Sequence, residues 1–513
     1  MSSLRKKRRG ATVPADEPPA PLAQPDPGDD EPLELDASAG AGAGAGTGTE
    51  CNAGATATQP APDADAAPAY RPVNVKRAPP LPGQAGSDRP AVLSELGALP
   101  MPELALRLRH YGLPAHEGHD RARLLVMFMR QAERTHLDLR GDGQLEVLPD
   151  GYGFLRSLRN SLLPSPDDLY LSPHLIREHN LRPGMSLSGT VRGGRRREKY
   201  FALDTIDTVN GEPLEAAKGW KPFEELTPIF PDRRIVLETP REPRNFSARV
   251  VDLIAPIGFG QRGLIVSPPR AGKTMLLKAL ANAITANQPK VKLLVFLVDE
   301  RPEEVTDIVR GVQGEVIYST FDESAVRHVA VAERVAERAR SLVESGHDVV
   351  VLMDSLTRLG RAYNNAARTT GRILSGGLEA NALQRPKRFF GSARNIEHGG
   401  SLTILASALI ETNSRMDEVI FEEFKGTGNM EIVLSRAVSE QRIFPAIDIN
   451  RSGTRMEDLL YDPDEARLVK ALRTALADMP PVEAIEKLIE KLARTATNAE
   501  FLLSLMAGAS RVF

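Results

Sequence analysis

The apolar positions divide the chain into stretches of different period. Residues 1–88 show no recurring apolar position: they are rich in Ala, Gly, Pro and Asp, with alternating Gly and Ala over 40–46. Such a segment buries too little apolar surface to offset its ordering entropy, and a disordered low-complexity head is expected. Over 89–138 the period becomes helical, with Leu104, Leu106 and Leu108 in one amphipathic stretch and Leu124, Leu125, Met127 and Phe128 in the next. Pro102 suits a helix first turn, and Gly112 with Pro114 suits a stop, so a small helical module is expected. Residues 139–216 change to short strands broken by Gly, Pro, Asn and Asp, as in a small β-barrel. Residues 217–245, with Trp220 and several prolines, keep no clear period and read as a connector. From 246 to 513, strand-like runs at 264–266, 293–298, 349–353 and 402–406 alternate with helical stretches. That alternation predicts βαβ units on a mostly parallel sheet, whose ligand sites lie at the carboxyl ends of its strands.

Composition adds compartment and solubility. The 513 residues suggest three or four domains, and the net charge of -3 averages over strong local asymmetry. The single cysteine, Cys51, forms no internal disulfide, and no apolar leader follows the basic residues Arg5, Lys6, Lys7, Arg8 and Arg9. No apolar run approaches the roughly 18 residues that span a bilayer. A soluble, cytoplasmic protein without membrane partners is expected.

The strand at 264–266 runs into Arg270, Ala271, Gly272, Lys273, Thr274 and Met275. This is the end of a phosphate-binding loop, in which backbone N–H groups and a helix N-terminus face an anion. Lys273 would reach the β and γ phosphates of ATP and the Thr274 hydroxyl would ligate Mg²⁺. The loop pattern wants glycine where Ser267 stands. Asp354, ending the apolar run 349–353, suits the water shell of Mg²⁺, and Glu300, at another strand end, is the candidate to activate the attacking water. Glu303 and Glu304 suit a helix first turn. Gly258, Phe259, Gly260, Gln261, Arg262 and Gly263 fit a dinucleotide fingerprint, but a strand follows where that fingerprint needs a helix. Their glycines are instead expected to bring backbone close to the ATP pocket. In the barrel, Gly151, Tyr152, Gly153, Phe154, Leu155 and Arg156 place two aromatics and an arginine in alternation, with Tyr170 and Tyr200 on later strands. Exposed aromatics beside basic residues make a stacking platform for single-stranded nucleic acid.

These runs, with 299–304, 385–391, 422–430 and 444–455, closely resemble the bacterial transcription termination factor Rho family over residues 90–513. The resemblance implies a multidomain chain: a small helical module, an OB-fold, cold-shock-like β-barrel and an α/β, RecA-like P-loop ATPase domain. It implies a homohexameric, RNA-dependent ATPase and 5'-3' helicase that binds pyrimidine-rich single-stranded RNA and releases it from RNA polymerase, with elongation factors as further partners. A primary RNA site would comprise 151–156, Asp168, Leu169, Tyr170, Glu198, Lys199 and Tyr200. A secondary site would line the pore through Ile373, Leu374, Ser375, Gly376, Gly377 and Arg415. Arg301 would contact nucleotide, Phe444 would pack on adenine, and Arg442 and Arg455 would enter the neighbouring subunit's site. Arg270, Arg372 and Arg415 stand where the family is expected to carry lysine. A rotary ATP synthase subunit, sharing the sheet and an intersubunit pocket, is the alternative; the aromatic barrel strand and basic pore loops stand against it.

Overall fold

The computed structural model describes residues 91–113, 119–193, 200–367, 373–374, 376–379 and 381–507; the low-complexity head, Glu198, Lys199, Arg372 and Ser375 lie outside these. The helix Met101–His110 carries its proline in the first turn, and Gly112 follows it with φ +75°. Its Leu104 and Leu108, one turn apart, are fully buried, whereas Leu106 is 51% exposed. The helix Arg121–Arg134 starts at Asp120, whose side chain accepts from the Arg123 N–H at 2.6 Å. Its Leu124, Leu125 and Phe128 share one core with Leu139, Leu145 and Leu155 of the barrel. Helical module and barrel therefore pack as one body.

The barrel closes through five strands. Leu139–Val147 pairs antiparallel with both Gly153–Arg156 and Ser186–Arg192, and Leu169–Leu171 and Ala202–Leu203 complete the circuit. Alternation along Gly153–Arg156 sends Leu155 into the core and Phe154 and Arg156 to the opposite face.

The remainder is built on a sheet ordered Glu315–Thr320, Lys292–Glu300, Asp348–Asp354, Ser401–Leu409, Arg262–Ser267, Met430–Val433 and Gly453–Thr454. Its neighbours are parallel except the last pair. Each face is covered by its own apolar cluster, as the near-continuous apolar strands predict. The four strand runs anticipated from sequence are all present. The stretch read as a connector is stitched into this domain by pairs too short to leave a period: Pro228–Ile229 with Arg394–Ile396, and Arg234–Ile235 with Ile257–Gly258. The helix Ala325–Glu344 packs on the sheet by its apolar side and on the barrel by its polar side: Arg182 meets Glu344 at 2.7 Å, and Asn210 donates to the Ser341 carbonyl at 3.0 Å. No helix among the described residues is long and apolar enough to cross a membrane.

Candidate active site and nucleic-acid interface

The strand Arg262–Ser267 delivers the phosphate loop to the carboxyl rim of the sheet, and the helix Lys273–Asn287 leaves from it. Only Arg270 and Gly272 in this loop take positive φ, +66° and +85°. Ser267 is still in strand conformation, its hydroxyl bonded to the Pro268 carbonyl at 2.9 Å, so no glycine is needed there. At Gly272 a Cβ would also lie 3.0 Å from the Phe444 ring, which is therefore held against the loop. Ala271 is buried, while Arg270 and Met275 are exposed.

Lys273 Nζ pairs with Asp354 Oδ1, which also accepts from the Ser407 hydroxyl at 2.8 Å. Glu300 comes to the same rim because the strand is bulged between Val298 and Glu300, with Asp299 at φ +56°. A bulge re-aims the side chain that follows it. Glu300 is 3% exposed, Arg358 stands 3.6 Å from one of its oxygens, and the other, Oε2, is buried without a hydrogen-bond partner. Burial, and then the charge of Asp354, push its carboxyl up to about 7 against the pull of Arg358 and Lys273. An anion-binding helix start, one cation, a rim carboxylate and a second carboxylate with an open acceptor suit a nucleoside triphosphate and its Mg²⁺, with Thr274 and Asp354 as the metal-side groups.

One expectation about this site needs correction. Arg262 and Gly263 open the same strand, with Gly263 about 13 Å of strand from its loop end, and Gly258, Phe259, Gly260 and Gln261 precede them at that amino end. They fasten the far edge: a Cβ on Gly260 would overlap Asn395 N at 2.1 Å, and Gln261 Nε2 donates to Asn429 Oδ1 at 2.8 Å. Their glycines serve close packing there, on the rim opposite this chain's own phosphate loop. Arg442 and Arg455 also separate. Arg442, exposed at φ +62°, shares the rim with Phe444 and its own loop. Arg455 follows Thr454, which pairs with Met430, itself opposite Gly263, so it stands exposed at the other rim. Arg301 is exposed and 3.4 Å from Glu304, within the helix first turn that also holds Glu303.

One helix, Leu356–Ala366, connects Glu300 to the candidate pore residues. Arg358 faces Glu300; Arg361 grips the buried Asp417 with two bonds of 2.7 Å; Asn364 donates to the Gly377 carbonyl at 3.2 Å and accepts from the Glu379 N–H at 2.8 Å. Asp417 lies in the first turn of Arg415–Lys425, where Arg415 is exposed. Ile373–Leu374 pairs with Leu378–Glu379, and Gly376 and Gly377, at φ +81° and +80°, make the turn between them. A Cβ on Gly376 would lie 3.1 Å from the Arg415 backbone, so the loop and Arg415 are neighbours. Arg358, Arg361 and Asn364 were missed in the sequence; their three-residue spacing on one helix face was the available signal.

The barrel face differs from the expected open platform. Phe154 is 2% exposed and lies beneath Tyr152, Tyr170 and Tyr200, with ring centroids 5.9, 6.1 and 5.1 Å from its own. The three tyrosines are half-buried and present the outer surface. Arg156 is buried too, 4.9 Å from the Phe154 centroid and bonded to Glu146 at 2.6 Å and Asp168 at 2.5 Å. Leu155 and Leu169 are core residues. Gly151 takes φ +82° and turns the chain into the strand. The platform is thus a layer of tyrosines on a phenylalanine floor, held from below by an ion triad.

Comparison with known proteins agrees with this division. Residues 141–215 match the RNA-binding domain of the Rho termination factor, and residues 247–454 match the nucleotide-binding domain of the ATP synthase alpha/beta family. The chain is 54% identical to transcription termination factor Rho of Cereibacter sphaeroides, over 74% of this chain and 91% of that one. It is 51% identical to the Rho proteins of Pseudomonas aeruginosa, over 80% and 99%, and of Escherichia coli K12, over 80% and 98%. The rotary alternative retains only a shared nucleotide-binding domain. With an RNA-binding barrel and a phosphate-loop domain both matched, and identity above half over nearly the whole of its relatives, the chain belongs to the transcription termination factor Rho family.

Proposed function

We propose that the chain is an RNA-dependent ATPase and 5'-3' helicase that captures pyrimidine-rich single-stranded RNA and terminates transcription by releasing it from RNA polymerase. The observation that carries this reading is the helix Leu356–Ala366, which touches Glu300 with one end and both candidate pore elements with the other. Such an arrangement is useful only where hydrolysis and RNA contact must depend on each other.

ATP would place its phosphates on the loop, with Lys273 turning from Asp354 toward the β and γ groups and Phe444 against adenine. Mg²⁺, held between the Thr274 hydroxyl and the Asp354 side, would neutralise charge developing on the phosphates. Glu300, through Oε2, would take a proton from the water attacking the γ phosphorus. The phosphoryl group would leave ADP, and the proton would stay on Glu300 until the product departs. Because Arg455 stands on the rim opposite its own phosphate loop, the neighbouring copy in a homohexameric ring would receive it; Arg442 would act on the loop rim at the same interface. Transition-state arginines of this kind are worth about 10³–10⁵ in rate. RNA phosphate drawn to Arg415 would move Asp417 and, through Arg361 and Arg358, the environment of Glu300.

ATP hydrolysis measured with and without polycytidylate tests the reading. Strong stimulation by RNA is expected, and hydrolysis indifferent to RNA would return the rotary alternative.

A further inference from the structure

The ion triad under the aromatic layer continues into the ATPase domain. Glu146 divides its carboxylate: Oε2 accepts from Arg156 Nε at 2.6 Å, and Oε1 accepts from Arg334 Nη2 on the helix Ala325–Glu344. Arg334 is held a second time by Glu337 at 2.7 Å, and its carbonyl accepts from Gln144 Nε2 of the same barrel strand at 2.9 Å. The side chain of Glu146 is 7% exposed, so neither arginine can be replaced by water without cost. Barrel and helix approach so closely here that a Cβ on Gly184 would overlap the Glu337 carbonyl at 2.2 Å. The helix packs on the strand Lys292–Glu300, and six residues before Arg334, about 9 Å along the helix, His328 is buried within the field of Asp299, the bulge residue that aims Glu300.

We propose that Glu146 and Arg334 are positioning residues that couple occupancy of the tyrosine layer to the ATP rim. The inference rests on the RNA-dependent ATPase reading and assigns it a second input, separate from the Arg415 path. Arg156 is the shared member. A base stacking on the tyrosines, or a phosphate near the layer, shifts the Phe154 floor and the balance of Arg156 between Asp168 and Glu146. The carboxylate of Glu146 then binds Arg334 more or less strongly, and the helix carries that change toward Asp299. Linkage makes the effect reciprocal, so nucleotide must alter affinity for RNA on the barrel by the same factor.

The test is the ratio of dissociation constants for a fluorescent oligocytidylate without and with a non-hydrolysable ATP analogue, measured on the full-length wild type, Arg334→Lys and Arg334→Ala. Arg334 touches neither the tyrosines nor the phosphate loop, so oligocytidylate affinity without nucleotide and basal hydrolysis without RNA are expected to stay within about twofold in Arg334→Ala. The ratio itself should fall to about 1 in Arg334→Ala, with Arg334→Lys between it and the wild type, because lysine keeps the charge and loses the fork. A role in stability alone would lower the melting temperature and leave the ratio intact. Equal ratios in the three proteins overturn the inference while the function stands. A wild type without RNA-stimulated hydrolysis removes the function, and the inference with it.

Discussion

Replacing Glu300 with Gln tests the catalytic assignment most directly. The variant keeps the shape of the side chain and removes its ability to take a proton. General-base removal costs about 10²–10⁴ in rate, so kcat should fall by that factor while ATP binding persists. The pH profile sharpens the test. With its carboxyl at about 7 in the nucleotide-free protein, Glu300 is the active base only when ionised. The ionised fraction is roughly one-tenth at a pH one unit below that value and roughly nine-tenths one unit above, so kcat/KM should rise through an acid limb near pH 7. Arg358, 3.6 Å away, favours the ionised form. Even at the dielectric of water that separation is worth about 1.2 kcal/mol, a little under one pH unit, and less solvent screening makes it larger. Arg358→Met should therefore move the acid limb upward by about one unit or more. The assay is steady-state phosphate release with saturating RNA, on wild type and both variants from about pH 5.5 to 9. Undiminished turnover in Glu300→Gln, or an acid limb that survives in it, refutes the assignment.

The barrel separates surface from floor. Tyr152→Ala or Tyr170→Ala should weaken oligocytidylate binding by about 1–3 kcal/mol with little change in melting temperature, whereas Phe154→Ala should destabilise by about 3–5 kcal/mol, read from denaturant midpoints. Gly272→Ala meets both the positive φ and the Phe444 ring and should abolish binding of a fluorescent ATP analogue while the thermal transition persists; normal binding would contradict the loop geometry. Mixing Lys273→Ala with Arg455→Ala chains should restore part of the hydrolysis lost in each alone, since Arg455 stands on the rim opposite its own loop. No rescue at any mixing ratio would count against action between subunits.

Much of the site was readable because its groups are contiguous in the chain. A strand followed by a glycine, a lysine and a threonine, and two further strands ending in carboxylates, are local patterns, and the alternation of strands with helices places all three on one rim. The same locality limits what 258–263 could tell: a glycine pattern records permissive backbone, and the packing against Asn395 that uses Gly260 comes from a segment more than a hundred residues away. Phe154 and Arg156 were misjudged as exposed for a related reason. Strand alternation places them correctly outside the barrel core, but only the arrival of Tyr170, Tyr200 and Asp168 from other segments covers them.

The sequence alone therefore determined the fold classes and the strand–loop–helix order of the phosphate loop, because these follow from local period and short-range motifs. Tertiary structure decided the rest. Strand order put Arg455 and Lys273 on opposite rims, the bulge at Asp299 aimed Glu300, and the helices Leu356–Ala366 and Ala325–Glu344 joined groups far apart in the chain. Those arrangements arise from long-range packing and from the need to pair every buried charge, and no period along the chain records them.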